Sequence, residues 1–323
     1  MTTDTPRIVI IGAGIAGLAC AHRLGEAGLK PVLFDKGRGP GGRLATRRAT
    51  DSLQFDHGAQ YVTAKGGGFA ALLAAAEAAG ALARWRAESD KPRYVGTPGM
   101  NALAKYLARG LDVRCGAPVS GIHRDGDEWV VLVDGAAQRC DRVVITVPAP
   151  QIAVLLGASH PLLDELAGVR MDPCLTLMAA FTTDAPRPFV SRADEDDALA
   201  WIALDASKPG RSAEATWVAQ ASPAWSATHL ELEPDALAAL MLPMLCARLG
   251  APQSSVSHAA THRWRHARVA TPLGRPFLRD ATRTLHAGGD WCLDARVEAA
   301  WTSGDAIARD ILASVSSPVP PGS

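Results

Sequence analysis

The residues of this sequence best suited to chemistry begin with three glycines and a carboxylate. Gly12, Gly14 and Gly17 follow the apolar run Ile8 to Ile11 in the spacing G-x-G-x-x-G, and Asp35 closes a second short apolar run ending at Phe34. The first glycine permits a tight turn, the second lets backbone approach a pyrophosphate, and the third lets a helix pack closely on a strand. The helix that follows offers free N–H groups and a positive dipole end to phosphates. Asp35 is placed to accept hydrogen bonds from an adenosine ribose, and its charge repels a 2′-phosphate, which disfavours NADP as the resident nucleotide.

Two further stretches carry polar groups in unusual settings. The loop Lys36 to Arg43 is dense in glycine and proline, as expected of backbone wrapped around a ligand, with Arg43 available to an anion. The segment FDHGAQYVTA, residues 55–64, is a small-residue turn carrying Asp56, His57 and Gln60 between Phe55 and Tyr61.

The elements that position these groups follow from periodicity. Ile15, Leu18, Ala21 and Leu24 mark a helix that stops at Gly28, so residues 7–35 form a strand, turn, helix and strand. An alanine-rich helix is expected over 69–83 with a break at Gly80, then an extended connection from Trp85 to Tyr94 and a helix opening at 96–100. Short strands follow: DVRC, VSGIHR, EWVVLV and QRCDRVVITV, with Asp-Gly turns between the later ones. They predict a small antiparallel meander interrupting a parallel sheet, with Val143 to Val147 as a central strand. Alternating stretches at 174–182, 199–204 and 215–222 predict a second, antiparallel sheet. A helix from Pro234 to Leu249 presents Leu237, Leu240, Met241, Met244 and Leu245 as expected core and is expected to kink at Pro243. Residues 258–268 read as a strand on which Arg263 and Arg265 share a face. They form either a solvated basic edge or a wall that meets substrate phosphates. His258, His262 and His266 lack the accompanying carboxylate that a metal site would bring. The final helix begins near Arg296, and the tail at 317–323 is expected to be disordered.

Composition sets the class. A chain of 323 residues with 48% hydrophobic content can bury a large core, and its zero formal charge offers no field to nucleic acid or an anionic membrane. The six cysteines are scattered without a CxxC, as expected of reduced thiols in a cytoplasmic protein. No apolar run approaches the length of a membrane span, and with the first strand reached so early no signal peptide is expected.

Four separated pieces, GAGIAGL with Asp35, GGRLATR at 41–47, DHGAQYVTA at 56–64 and HAGGDWCLDARVEAAWTSG at 286–304, together resemble the FAD-dependent amine-oxidase superfamily, and within it the renalase-like proteins. The nucleotide motif alone serves many NAD and FAD enzymes; the other segments are more specific. The resemblance, from about residue 7 to 312, implies an α/β fold in which a Rossmann-type FAD-binding domain joins a second, sheet-plus-helices substrate domain, in the p-hydroxybenzoate-hydroxylase-like manner. The FAD domain would comprise residues 1–70, 96–150 and 278–316, and the substrate domain 71–95 and 151–277. Carried over by position, Gly12, Ala13, Gly14 and Gly17 line the pyrophosphate and Asp35 holds the ribose. Arg43 neutralises phosphate charge, with Ala16, Lys36 and Gly42 also in the cofactor-binding set. Val119 touches the adenine through its backbone, Gly58, Ala59 and Gln60 border the isoalloxazine, and Asp290 lies by the ribityl-pyrophosphate portion. Arg296, Val297 and Glu298 open the last helix toward the flavin pyrimidine, where a helix N-terminus stabilises negative charge. Gln60 and Tyr61 are expected to face substrate. His57 inherits no role, since that position varies in the family, but a histidine in a cleft can reach substrate. Trp291 would wall the flavin or pack as core.

The resemblance also implies an activity: oxidation of 2- or 6-dihydroNAD(P) isomers to NAD(P)+, with oxygen as acceptor and hydrogen peroxide as product. A dihydropyridine already carries the electrons to expel hydride, so the protein mainly has to stack it against the flavin. This accords with the lack of an obvious catalytic dyad. Amine oxidation, flavin monooxygenation and non-catalytic nucleotide binding stay open. The amine oxidases typically present an aromatic cage, often of tyrosines, near the last flavin motif; the three tyrosines here, Tyr61, Tyr94 and Tyr106, lie far from residue 290 in sequence, and Trp291 and Trp301 are the available substitutes.

Overall fold

A computed structural model describes residues 5–49, 53–86 and 91–316. The tail at 317–323, expected to be disordered, lies outside the described residues. The chain forms two compact units. One comprises Met1–Gly42, Ala104–Met171 and Val269–Ser323, the other Arg43–Leu103 and Asp172–Arg268. As compact bodies they divide the chain elsewhere than the motifs suggest: residues 43–70 and 96–103 belong to the second unit, and 151–171 and 269–277 to the first. The cause is packing. Ile152, Leu155, Leu162 and Leu166 join the core of the first unit, and Phe55 packs with Met178, Ala180 and Val218 in the second.

The first unit is built on a six-stranded sheet. Its strands run, from one edge, Leu278–Arg279, Leu285–Ala287, Arg142–Ile145, Ile8–Ile11, Val32–Asp35 and Asp112–Cys115. All neighbours pair in parallel except Leu278–Arg279, which is antiparallel to Leu285–Ala287. Ile8–Ile11 is central, flanked by Val144 and Leu33 at Ile10, and all four of its residues are buried, as a strand covered on both faces requires. The segment DVRC, expected in the meander, is instead the far edge of this sheet, with Val32 beside Asp112 and Asp35 beside Cys115. The meander proper is Val119–Asp125, Glu128–Val133 and Ala136–Cys140. Its second turn places Asp134 at φ 48° and Gly135 at φ 78°, the left-handed pair that the Asp-Gly sequence favours.

The helix Ile15–Glu26 buries Ile15 to Ala21 and Leu24. The closing helix, Val297–Ser316, crosses it so closely that a Cβ on Gly304 would collide with the carbonyl of Ala16. Glycine at this position sets the interhelical distance.

The second unit carries an antiparallel sheet ordered Ser191–Ala193, Trp201–Leu204, Ala215–Gln220, Arg170–Phe181 and Val256–Thr271. Helix Pro234–Leu249 buries Leu237, Met241, Leu245, Cys246 and Leu249, and Pro243 lies within its continuous span; of the other residues expected in the core, Met244 is half-buried and Leu240 is exposed, because they turn away from the sheet-facing side of the helix. The alanine-rich helix is shorter than its composition suggests. It ends at Ala78 before Gly80 (φ 72°), and Leu82–Trp85 is a strand paired with Arg93–Gly96. A second two-stranded pair joins Thr46–Arg48 to Gln54–Asp56. Among the described residues no helix is long and apolar enough to cross a membrane.

Candidate functional site

The carboxyl ends of four parallel strands deliver Gly288, Thr146, Gly12 and Asp35 to one edge of the first unit, the place where open α/β sheets bind nucleotides. Gly12 turns the chain at φ 103° and donates its N–H to Phe34 O at 2.8 Å. A Cβ on Gly17 would collide with the carbonyl of Gly12, so only glycine lets the helix approach this closely. Thr146 Oγ1 donates to both Ile11 O (3.0 Å) and Gly12 O (2.9 Å), pinning the turn from the neighbouring strand.

Gly14, the N-cap of Ile15–Glu26, contrasts with its neighbours. No side chain caps the helix, and a Cβ on Gly14 would meet no atom within 4 Å. The glycine loop returns to this space. Gly41 N–H donates to Ala13 O at 2.8 Å, and Gly42 lies at φ 53° with its Cβ position 3.6 Å from Gly14 Cα. An uncapped helix end facing open space between Gly14 and Gly42 fits a pyrophosphate, whose oxygens would take the first-turn N–H groups.

Asp35 holds this edge together. Its Oδ2 accepts from Ala13 N and its Oδ1 from Gly37 N, both at 2.6 Å. Each oxygen keeps a second lone pair for a ribose hydroxyl. Asp35 O accepts from Ala117 N at 2.9 Å, which ties the approach to Val119, the half-buried first residue of its strand, to the same edge. Lys36 is exposed.

The C-terminal motif completes the edge. Gly288 N–H donates to Ile145 O and Gly289 N–H to Ser303 Oγ, both at 2.9 Å. The buried Asp290 accepts at its carbonyl from Leu293 N and Asp294 N. Arg296 precedes the closing helix, with its guanidinium 3.1 Å from Glu298 Oε2, and Val297 begins the helix. Trp291 is wholly buried, its indole N–H donating to Val147 O at 3.1 Å, so it packs as core. Burial also pushes the Cys292 thiol up to about 12, which keeps it an inert thiol at neutral pH.

The DHGAQY turn belongs to the second unit, and its polar groups are spent on a buried ionic quartet. Lys208 Nζ lies 2.6 Å from Asp205 Oδ1 and 3.3 Å from Asp56 Oδ2, and it donates to Gln60 Oε1 at 3.2 Å. Arg211 closes the set on Asp56, with its Nε 3.8 Å from Asp205 Oδ2. The four side chains are 0–1% exposed and carry two charges of each sign. Asp56 Oδ1 also accepts from Thr46 Oγ1 (2.7 Å) and Met100 N (2.9 Å). Burial opposes charge on Asp56, but Lys208 and Arg211 outweigh it and hold its carboxyl below the usual range. At Asp205 burial prevails, reinforced by the charge of Asp56, and its carboxyl is raised despite Lys208.

Gln60 is thereby fixed. Its amide N–H groups donate to Asp56 O and Gly58 O while its oxygen faces Lys208. A Cβ on Gly58 would strike the carbonyl of Arg43, and Ala59 N–H donates to that same carbonyl at 2.9 Å, so Arg43 and the DHGAQY turn lie against each other. Arg43 donates to Ala267 O at 2.9 Å. His57 stacks on Trp264, with ring centroids 5.3 Å apart, and meets the edge of His262. Burial, reinforced by His262, lowers its pKa from 6.5 to about 4, so it is neutral near pH 7. Tyr61 is half-buried among aromatic rings.

The basic strand resolves as a solvated edge. Arg265 makes a two-pronged pair with Glu231 (2.6 and 2.7 Å), and Arg263 lies 3.6 Å from the same carboxylate. Its histidines pack on aromatic neighbours: His258 stacks on Phe55, and His262 meets Trp264 edge-on.

Asp205, Lys208 and Arg211 were not singled out by sequence. They come from the short turn Asp205–Ser207 and the residues after it, far along the chain from Asp56. A lysine and an arginine close behind an aspartate in an otherwise apolar region were the available signal.

Comparison with known proteins agrees with this geometry. Residues 10–65 match the NAD(P)-binding Rossmann-like domain and residues 64–312 match the flavin-containing amine oxidoreductase family. Mouse renalase is 29% identical over 177 residues, covering 49% of this chain and 52% of renalase. The zeta-carotene-forming phytoene desaturase of Myxococcus xanthus is 43% identical over 61 residues, 19% of this chain and 12% of the desaturase. The chain thus spans about half the length of renalase, and less of the desaturase. Among solved structures, a protein assigned by inference as a protoporphyrinogen oxidase from Exiguobacterium sp. 255-15 superposes with a TM-score of 0.79 at 15% identity, over 96% of this chain and 99% of that one. Putrescine oxidase bound to putrescine gives 0.71 at 15% identity, over 95% and 99%. These structures share the fold. The chain belongs to the flavin-containing amine oxidoreductase family, with FAD as its cofactor.

Proposed function

We propose that the chain is an FAD-dependent oxidase of 2- or 6-dihydroNAD(P) isomers. One isomer, oxygen and a proton would give NAD(P)+ and hydrogen peroxide. The observation that carries this reading is the state of the ionisable groups around the DHGAQY turn. Asp56, Asp205, Lys208 and Arg211 neutralise one another in full burial, and His57 is held neutral. Among these groups no acid–base pair stands ready to take a proton from substrate. A dihydropyridine needs none, because its ring nitrogen already supplies the electrons that expel hydride. The likeness to mouse renalase supports the same reading.

Bound FAD supplies the hydride acceptor. The first-turn N–H groups of Ile15–Glu26, with Gly14 and Gly42 leaving room, would hold the pyrophosphate, and Asp35 would take the ribose. The N-terminus of Val297–Ser316 would offer a positive dipole end favouring added electron density on the flavin. Gln60 is a positioning residue whose fixed amide shapes the turn, and Tyr61 is the substrate-facing residue of that segment. His57 and Trp291 act by packing.

Anaerobic mixing of the holoprotein with 6-dihydroNAD should bleach the flavin absorbance within seconds, and readmitted oxygen should restore it with peroxide. An unchanged spectrum with both isomers, beside bleaching by a simple primary amine, would replace this reading with amine oxidation.

A further inference from the structure

The guanidinium of Arg93 lies over three aromatic rings of the second unit, 4.4 Å from the centroid of Tyr61, 5.4 Å from Trp201 and 6.0 Å from Trp85. Tyr61 lies 5.6 Å from Trp201 and 6.4 Å from Trp85. Regular elements hold most of the set. Trp85 and Arg93 are cross-strand partners, and Trp201 opens Trp201–Leu204. The Trp85 indole N–H is fixed on Ser207 Oγ at 3.0 Å.

An aromatic box of this kind takes a cation over its ring faces. Here the protein supplies that cation itself, so the box repels an ammonium substrate rather than receiving one. Arg93 is also unusually underused. Among the described residues its side chain makes one long hydrogen bond, 3.5 Å to Ser191 Oγ, and no carboxylate pairs with it. Arg93, Tyr61 and Trp201 are half-buried, not sealed. The rings around it restrain the guanidinium, whose N–H donors can serve an oxyanion, which a planar fork binds in two-pronged fashion.

We propose that Arg93, with Tyr61, Trp85 and Trp201, forms a recognition site for a phosphate-bearing aromatic ligand. The guanidinium pairs with a phosphate of the dinucleotide substrate, the half-buried Tyr61 and Trp201 face one of its bases, and the buried Trp85 backs the guanidinium. The identity of the ligand rests on the dihydronicotinamide reading above; the preference for an anion over an amine rests on the box alone.

The test uses FAD-loaded wild type, Arg93→Ala and Arg93→Lys. With 6-dihydroNAD, Arg93→Ala should raise KM roughly ten- to a hundredfold, as expected for a lost charge-assisted hydrogen bond, with kcat little changed. Arg93→Lys should fall between, keeping charge but losing the fork. Equilibrium titration of tryptophan fluorescence should show ADP-ribose binding weakened by the same factor, and binding of nicotinamide riboside, which has no phosphate, unaffected. Flavin content should match wild type. Unchanged KM and ADP-ribose affinity, equal weakening toward nicotinamide riboside, or loss of flavin in Arg93→Ala would each overturn the proposal. If Arg93→Ala does not accumulate as folded protein, Arg93→Gln and Arg93→Lys give the same readouts. The two readings separate cleanly. Turnover of the isomers with no effect at Arg93 refutes only the site. Arg93-dependent ADP-ribose binding without turnover refutes only the reaction.

Discussion

Replacing Lys208 by methionine removes one charge from a quartet that is otherwise neutral, with little change in volume. Asp56 and Asp205 would then face Arg211 alone, and Arg211 reaches Asp205 only at 3.8 Å. Removing one partner of a buried pair costs about 3–5 kcal/mol, because the remaining charge is left uncompensated. At about 2–4 °C per kcal/mol for a body of this size, the thermal midpoint should fall by roughly 10 °C. The pH dependence has a definite sign. Asp205, raised by burial and by Asp56, is the carboxylate that takes up a proton to relieve the imbalance, so the deficit should shrink in mild acid. Asp205→Asn in the Lys208→Met background leaves the balanced pair Asp56–Arg211 and should recover at least half of the loss, whereas Asp205→Asn alone should also destabilise. Midpoints of the holoprotein by fluorescence give all three values. A drop of only a degree or two, or a double variant as unstable as the two losses added, would refute the view that these charges are balanced as one group.

Gly14→Ala adds a methyl where the protein has open space, so the apoprotein should keep its thermal midpoint while FAD affinity falls at least tenfold, whereas Gly17→Ala, which collides with Gly12 O, should lower apoprotein stability as well; dialysis against FAD and melting curves separate the two. Asp35→Ala removes two 2.6 Å charge-assisted bonds and should cost about 3 kcal/mol of stability, with flavin lost on gel filtration. His57 has a folded pKa of about 4 against 6.5 unfolded, so its contribution is full above 6.5 and is lost as pH falls toward 4, up to about 3 kcal/mol. His57→Phe should flatten the acid limb of a midpoint-versus-pH curve without abolishing it, since burial lowers His262 in the same direction.

The cradle was legible because its physics is local. The spacing of Gly12, Gly14 and Gly17 encodes a turn and a close approach within a few residues, and Asp35 closes the next strand. The sheet edges were less legible. DVRC alternates in exposure as a meander strand would, and its pairing with Val32–Asp35 depends on a partner far away in sequence. The role of Gln60 was the hardest to read. A polar residue in a turn suggests an outward-facing group, and only the arrival of Lys208 from a distant segment shows that its amide is consumed inside the protein. Trp291 illustrates the same limit: a glycine-rich motif beside it suggests a ligand wall, but its indole N–H is satisfied by Val147 O.

The crossing of Gly304 on Ala16 bears on how the protein is made. A ribosome delivers the phosphate turn first, yet Ile8–Ile11 waits for Arg142–Ile145 to flank it, and Ile15–Glu26 stays uncovered until Val297–Ser316 has emerged. On this packing, flavin capture is expected to follow translation rather than accompany it. A chain halted before residue 297 would display the full glycine signature and still lack the helix that covers Ile15–Glu26 at Ala16.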